Sequence, residues 1–202
     1  MMQEQLYHLY YSGISGYDLI PNWKTDNSHL FCTHCHRLKL PRGGLDLITD
    51  EKIRKNLDMT MIGYLLIPGC MSTRLLDLLG KEAENHLNLG NVYLKKGTKL
   101  IKQPFVTFIS KYKYIPLRGE TPYYIDGKPI EKRLKVCPEC LFCARVERSP
   151  WFLLNDEYPK HPIQCTDMGL LLYESVYEKL KNTKLVGVCV EKVKIKQNTQ
   201  KG

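Results

Sequence analysis

The chain has 202 residues, a mass of 23.5 kDa and a formal net charge of +9 at neutral pH. A hydrophobic content of 43% predicts a packed core, large enough for one domain or two small lobes. No apolar run approaches the roughly 20 residues of a membrane span, and the first residues lack the pattern of a secretory signal peptide. We therefore expect a cytoplasmic protein without a membrane partner, and the charge indicates acidic partners.

In chain order, the pattern predicts an aromatic strand at residues 6–11 and two strand–helix–strand units, at residues 61–94 and 167–190. In the helix of the first unit, Ser72 is the expected N-cap. Leucines follow at the spacing of one apolar helix face: Leu75, Leu76, Leu79. Helices this short are not stable alone, so each is expected to pack on a sheet.

Between the two units, residues 107–114 and 123–125 predict antiparallel strands, with Asp126 and Gly127 forming a hairpin turn. Residues 118–122 are expected to form a loop. The predicted fold class is α+β, with mixed or antiparallel sheets and few short helices. Two related strand–helix–strand lobes are expected, joined at a zinc-ribbon-like pair of knuckles. We expect one zinc-binding domain, 1–202, with these sub-lobes: 1–58 plus 131–202, and 59–130.

Two Cys-x-x-Cys pairs carry the metal prediction, Cys32 with Cys35 and Cys137 with Cys140. The two-residue gap lets both thiolates of one turn face a single ion, and structural zinc takes four such ligands in a tetrahedron. The distance between the pairs excludes a compact zinc finger, whose gap is usually roughly 12–20 residues. In a reducing compartment such pairs indicate metal ligands rather than disulfides. The sequence thus predicts one structural Zn²⁺ per chain, bound by these four cysteines.

Alternatives to this ligand set remain open. The first pair could be a redox centre, although the segment after it is too short and broken for the helix of a thioredoxin-like site. A disulfide or unmetallated turns are further alternatives. Neighbouring side chains could replace a named cysteine: His34, His36 or Cys143. The remaining cysteines lie in apolar, strand-like segments, where buried thiols are common, and we assign them no chemistry: Cys70, Cys165, Cys189.

A lysine-rich stretch with interleaved aromatic residues follows the first unit. Its lysines are Lys95, Lys96, Lys99, Lys102, Lys111 and Lys113. Basic patches of this kind occur on nucleic-acid-binding surfaces. However, aromatic residues such as Phe105 and Phe108 stand at strand spacing and are expected to be buried. Nucleic-acid binding is therefore the alternative function, and any such binding should be weak.

Motifs of catalysis are missing from the sequence. There is no Gly-x-Ser-x-Gly, phosphate-binding loop or His-Glu-x-x-His motif. Pro138 follows Cys137 instead of preceding it, and no His-x-Glu occurs, which excludes the zinc deaminase pattern. A site closed by four thiolates leaves no position for water. We therefore expect a protein that is not an enzyme.

The order of these features resembles the double-CXXCG motif family of bacterial proteins, which is linked to the immunity proteins of polymorphic toxin systems. The resemblance lies in the aromatic first strand, in Trp23 just before the first cysteine pair, and in a closing helix at residues 172–180. It extends over nearly the whole chain, but only the cysteine pairs are sharp motifs. The family has glycine after each pair, whereas His36 and Leu141 stand there in this chain.

This resemblance implies a cytoplasmic protein that neutralises a cognate toxin protein by binding it. Such a protein acts by occlusion, with complementary charge and slow release. We expect the partner surface to be formed by loops at residues 118–122 and 151–161. The candidate contact residues are Arg118, Glu120, Trp151, Asp156, Glu157 and His161. For Trp151, the alternative is a buried position beside the second cysteine pair.

Overall fold

A computed structural model of the chain describes residues 3–13, 16–34, 44–62, 69–112, 114–115, 117–122, 124–125, 128–129, 147–166 and 169–198. The strands are Leu6–Tyr11 (β1), Gly16–Tyr17 (β2), Leu47–Thr49 (β3), Met59–Ile62 (β4), Cys70–Ser72 (β5), Leu87–Lys96 (β6), Lys99–Ser110 (β7), Arg118–Pro122 (β8), Tyr124–Ile125 (β9), Lys128–Pro129 (β10), Glu147–Leu154 (β11), Ile163–Cys165 (β12), Gly169–Tyr173 (β13) and Val188–Lys196 (β14). The helices are Trp23–Asp26 (α1), Thr73–Leu79 (α2), Lys81–His86 (α3) and Glu174–Tyr177 (α4), with short 3-10 turns at Ser28–Leu30 and Asn155–Glu157.

Two six-stranded sheets form the body of the molecule. The β1 sheet has the strand order β12-β13-β1-β14-β11-β8, and the β7 sheet has the order β2-β4-β5-β7-β6-β3. Most neighbouring strands are antiparallel, and the helices are few and short. The predicted α+β class is therefore confirmed. A further pair, β9 with β10, is antiparallel and flanks the predicted turn at Asp126 and Gly127, which itself lies outside the described residues.

Both sheets contain the same strand arrangement around a central strand. In the β7 sheet, α2 and α3 connect β5 to β6, and both of these strands are antiparallel to β7 between them. In the β1 sheet, α4 connects β13 to β14, and both are antiparallel to β1 between them. The next strands also correspond: β4 is antiparallel to β5 as β12 is to β13, and β3 is parallel to β6 as β11 is to β14. Five adjacent strands thus have matching relative directions in the two sheets.

Each of these sheets is buried on both faces over much of its area. Along β1 the side chains alternate, as in any strand, so that Leu6 lies in one buried cluster and Tyr7 in another. The cluster that contains Tyr7 has side chains of both sheets and of three helices: Tyr7, Leu9, Met71, Leu75, Leu79, Ala83, Phe108, Val176. A third cluster covers the other face of the β7 sheet and includes Trp23 and Phe31. The two sheets and the helices α2, α3 and α4 therefore share the cluster that contains Tyr7.

A buried carboxylate joins the β7 sheet to the segment before β14. Asp58 is 1% exposed, and its oxygens accept hydrogen bonds from Ser72 Oγ (3.1 Å), from Arg74 Nε (3.0 Å) and from the Val186 backbone N–H (2.8 Å). The Asp58 N–H in turn donates to the Val186 carbonyl at 2.7 Å. We call Asp58, Ser72, Arg74 and Val186 the Asp58 clasp. A carboxylate can be buried only if hydrogen-bond donors replace the water that it loses. In the clasp, the Arg74 guanidinium and two neutral donors do so for Asp58.

One local expectation is confirmed and one is wrong. Ser72 is the N-cap of α2, and its Oγ accepts from the Leu75 N–H at 3.0 Å. Residues 118–122, expected to form a loop, are the edge strand β8, which pairs with β11. A short polar edge strand lacks the apolar alternation that identifies a strand in sequence. Strand β3 lies in the β7 sheet and β8 in the β1 sheet, and the predicted sub-lobes stay a prediction.

Candidate functional sites

Only one of the four predicted zinc ligands lies within the described residues. Cys32 is 1% exposed and follows Phe31, whose ring packs edge-on against Trp23. Cys35, Cys137 and Cys140 lie outside the described residues, as do His36 and Cys143. Within the ranges that the structure describes, no group of three or more His, Cys, Asp or Glu side chains is arranged to hold a metal ion. Cys32 is buried, as a ligand of a closed structural site would be, and the whole ligand set, including Cys32, stays a prediction.

Two of the three thiols for which we expected no chemistry are held in the interior. Cys70 and Cys165 are completely buried, and desolvation raises the pKa of each thiol far above its usual value. A neutral buried thiol is a poor nucleophile, because the thiolate is the reactive form. These two cysteines therefore act as small apolar side chains of the core.

Of the six candidate partner residues, three lie on or beside the edge strand of the β1 sheet and form ion pairs within the chain. The Arg118 guanidinium donates to both carboxylate oxygens of Glu157, with one N–O distance of 2.7 Å. Glu120 accepts from Lys194 at 3.0 Å and from Lys196 at 2.8 Å. These hydrogen bonds hold the pKa of the Glu157 carboxyl and of the Glu120 carboxyl below their ordinary values.

The other three candidates occupy different places. Trp151 is in β11 and only 3% exposed, with its ring edge-on to His8 at 5.8 Å between centroids. It is therefore a core residue and not part of an exposed loop. Asp156 is exposed, in the 3-10 turn after β11. The structure thus pairs Arg118 with Glu157 and buries Trp151, and the partner role of the six candidates stays a prediction.

His161 belongs to a ring cluster at the end of β7. Its imidazole stacks on Tyr112 with centroids 3.5 Å apart and an 8° interplanar angle. His86 Nδ1 is 3.0 Å from the Tyr112 hydroxyl, and His86 Nε2 is 3.3 Å from Glu82. Burial, together with the positive charges of His86 and Lys160, lowers the pKa of His161. The cluster connects α3 to the segment before β12, and we assign it a packing role.

The lysine-rich stretch contains a hairpin that extends beyond its neighbouring strands, which the sequence pattern did not predict. Strand β3 pairs with β6 only as far as Leu94, and β5 pairs with β7 only from Phe105 onward. The remaining part of the β6–β7 hairpin pairs only with itself among the described strands. All of its residues from 95 to 102 are exposed, including Leu100 (53%) and Ile101 (46%). We call residues 95–102 the hairpin arm.

No acidic side chain within the described ranges compensates the charge of the hairpin arm. The arm carries Lys95, Lys96, Lys99 and Lys102, and the sequence has no acidic residue between Glu84 and Glu120. None of these lysines forms an ion pair with a residue that the structure describes. Two signals in the sequence could have revealed the arm: the Gly97–Thr98 turn between lysines, and the long acid-free segment. The expected burial of Phe105 and Phe108 is confirmed, since both are fully buried.

No protein-family model matches this chain, and no curated protein and no solved structure matches it either. The described helices include none that is long and apolar enough to cross a membrane.

Proposed function

We propose that this protein acts by binding, without turnover, as a cytoplasmic immunity-type protein that neutralises a cognate bacterial toxin domain. The hairpin arm is the observation that carries the proposal. Eight consecutive exposed residues, with four lysines and two large aliphatic side chains, project beyond the pairing of the sheet. Large aliphatic side chains that are left exposed among charged groups indicate a site that contacts another macromolecule. The resemblance to the double-CXXCG motif family supplies the class of partner.

One structural Zn²⁺ bound by Cys32, Cys35, Cys137 and Cys140 is part of this proposal. The first cysteine pair follows a segment that packs on the β7 sheet through Trp23 and Phe31. The second pair precedes β11 in the β1 sheet. A shared ion would connect these two parts of the chain and hold the body rigid around the arm. Since four thiolates fill its coordination, the ion would have a structural role.

Co-expression with the toxin domain encoded beside this gene tests the function. We expect cells to survive with this protein and to die without it, and a one-to-one complex to elute on gel filtration. A matched control is the same toxin with a catalytic substitution, which should still form the complex. Equal killing with and without this protein, together with separate elution of the two chains, would refute the proposal.

Nucleic-acid binding is the second candidate, and the basic hairpin arm is the observation that favours it. A two-stranded ribbon is narrow enough to enter the major groove, and four lysines would neutralise phosphates. Against it, Phe105 and Phe108 are buried and Tyr112 is stacked on His161, so these rings offer no platform for bases. A titration with duplex and single-stranded DNA near physiological salt decides between the candidates. Submicromolar affinity with a steep salt dependence would favour this second function.

A further inference from the structure

The register of the hairpin arm fixes which side chains share a face. Lys96 pairs with Lys99, Lys95 with Leu100, and Leu94 with Ile101. Cross-strand partners lie on the same face of a ribbon, and successive residues lie on opposite faces. One face therefore carries Ile101 with the two tip lysines, and the other carries Leu100 with Lys95.

The tip of the arm has a charge arrangement that does not favour the hairpin itself. Lys96 and Lys99 lie directly opposite each other across the two-residue turn. Like charges in that position destabilise a hairpin, and opposite charges would stabilise it. The turn itself is well formed, because Gly97 supplies a positive φ of 62° and no atom crowds it. The lysine pair is thus unfavourable for folding, which indicates a role outside the fold.

The two aliphatic side chains point to opposite faces, and each is about half exposed. A flat partner would cover one of them and leave the other in water. A cleft whose walls contact both faces would bury both. The apolar side chains also lie behind the lysines, one and two positions from the tip lysine Lys99. An apolar wedge into a bilayer or between bases would need the reverse order, since charged groups would otherwise enter the apolar medium first.

We infer that the hairpin arm inserts into a cleft of the partner protein whose floor is acidic and whose side walls are apolar. Lys96 and Lys99 would meet the acidic floor, and Leu100 and Ile101 would pack on opposite walls. The inference rests on the proposed function and deepens it: the toxin would be one with carboxylates at the base of its active-site cleft. Filling that cleft blocks access of substrate, and charge complementarity speeds the encounter.

Variants of the arm test this inference in the complex with the toxin domain. Lys96→Glu/Lys99→Glu should weaken binding by about a hundredfold and flatten its salt dependence, because the charges at the floor become repulsive. Leu100→Ser and Ile101→Ser should each weaken it by about tenfold, the effect of removing a buried apolar contact. Lys179→Glu/Lys184→Glu is the matched control, with the same change in net charge at exposed lysines near α4. Isothermal titration calorimetry measures the affinities, and circular dichroism verifies that each variant is folded.

A photo-crosslinking amino acid at position 100 or 101, in separate variants, distinguishes a cleft from a flat contact. Crosslinking to the toxin from both positions supports the cleft, and crosslinking from one position alone overturns it. If the wild-type complex forms and the arm variants bind equally well, the inference fails while the proposed function stands. If the wild-type chain forms no complex, the proposed function and this inference fail together. Tight wild-type binding to duplex DNA or to vesicles of anionic lipid, lost in Lys96→Glu/Lys99→Glu, would assign the arm to that ligand instead.

Discussion

The two sheets reach the same strand arrangement by different routes along the chain. The β7 sheet completes its central part, β4 to β7, from one continuous segment, residues 59–110. The β1 sheet forms the corresponding part from residues 163–196 and takes its central strand from the N-terminus. The first arrangement is closed by local connections, and the second requires a long-range pairing with its larger loop-closure entropy.

The helices of the two sheets show the same difference. Helix α2 is capped locally, by Ser72 at its own N-terminus. Helix α4 has no side-chain cap from its own N-cap residue, and its first N–H groups bond instead to the N-terminal segment: Glu174 N–H to the Gln5 carbonyl and Ser175 N–H to Glu4. The β1 sheet thus depends on distant residues for both its central strand and its helix. The β1 sheet therefore depends more than the β7 sheet on contacts between residues that are far apart in sequence.

Removal of zinc is the change that is expected to lower the stability of the protein most. If one ion connects the two cysteine pairs, Cys32→Ser or strong chelation should destabilise the chain severely, because zinc binding energy is folding energy, about 10 kcal/mol or more in zinc-finger peptides. Loss of structure should be greatest in the β1 sheet, which has fewer local connections. Elemental analysis measures the metal content, and hydrogen exchange measures the loss of structure in each sheet. The purified chain without stoichiometric metal, or an unchanged melting temperature for Cys32→Ser, would contradict this expectation.

Removing the Asp58 clasp should have the next largest effect. Asp58→Ala leaves the Ser72 hydroxyl and the Val186 N–H without their buried acceptor, and we expect a loss of about 3 kcal/mol in the free energy of unfolding. Denaturant unfolding monitored by circular dichroism measures it. Asp77→Ala is the control, because Asp77 is exposed on α2 and should change stability by less than about 0.5 kcal/mol. Equal values for the two variants would mean that the clasp does not join the sheets energetically.

Gly187, at the start of β14, tests the close approach of the two sheets. Its φ is +77°, and a Cβ atom there would stand 2.6 Å from the Met59 carbonyl oxygen. We expect Gly187→Ala to lower the free energy of unfolding by about 2–3 kcal/mol. The loss would come from backbone strain and from separation of the Gly187 segment from the Met59 segment. Gly97→Ala is a matched control, since Gly97 also has a positive φ but no heavy atom within 4 Å, and should cost about 1 kcal/mol. Similar melting temperatures for the two variants would argue against a tight contact at Gly187.

The caps of α2 and α4, made by Ser72 and Glu4, should contribute different amounts to the free energy of unfolding. Ser72→Ala is expected to cost about 1 kcal/mol, the usual value for a lost N-cap, and more if the contact with Asp58 is also lost. Glu4→Gln keeps an acceptor for the Ser175 N–H but removes the charge, so a loss of only about 0.3–0.5 kcal/mol is expected. Thermal unfolding of both variants gives the comparison. A larger effect for Glu4→Gln would show that the long-range cap is the more important one.

The smallest expected effect is a loss of stability at low pH. Among the described residues, the carboxyls with a lowered pKa are Glu120 and Glu157, both in the β1 sheet or adjacent to it. A carboxyl with a native pKa below its unfolded value, about 4.3, stabilises the fold above that pH, and the contribution is lost as pH falls through the native pKa. Glu157→Gln should therefore lower stability at neutral pH by at most about 1 kcal/mol, and the difference from wild type should vanish in acid. A constant difference between pH 7 and pH 3 would assign the effect to packing.

The candidate site was predictable in part. The sequence identified the lysine-rich stretch, and burial of Phe105 and Phe108 followed from their strand spacing, because alternation reports which side chains face a core. It did not reveal that residues 95–102 extend beyond their neighbours, because the ends of β3 and β5 set that boundary. It left open whether Trp151 is an exposed contact or a buried core residue. Its burial depends on His8 and Tyr10, which come from the far end of the chain.

The sequence by itself determined the α+β class, two strand–helix–strand units, and the N-cap at Ser72, all of which depend on local periodicity and on side chains within a few residues. The tertiary structure alone decided that β1 is the central strand between β13 and β14, that residues 118–122 form an edge strand, and that Asp58 bonds to Val186. The physical reason is that periodicity records which face of a segment is buried. The partner strand and the distant donor are selected only when the whole chain packs.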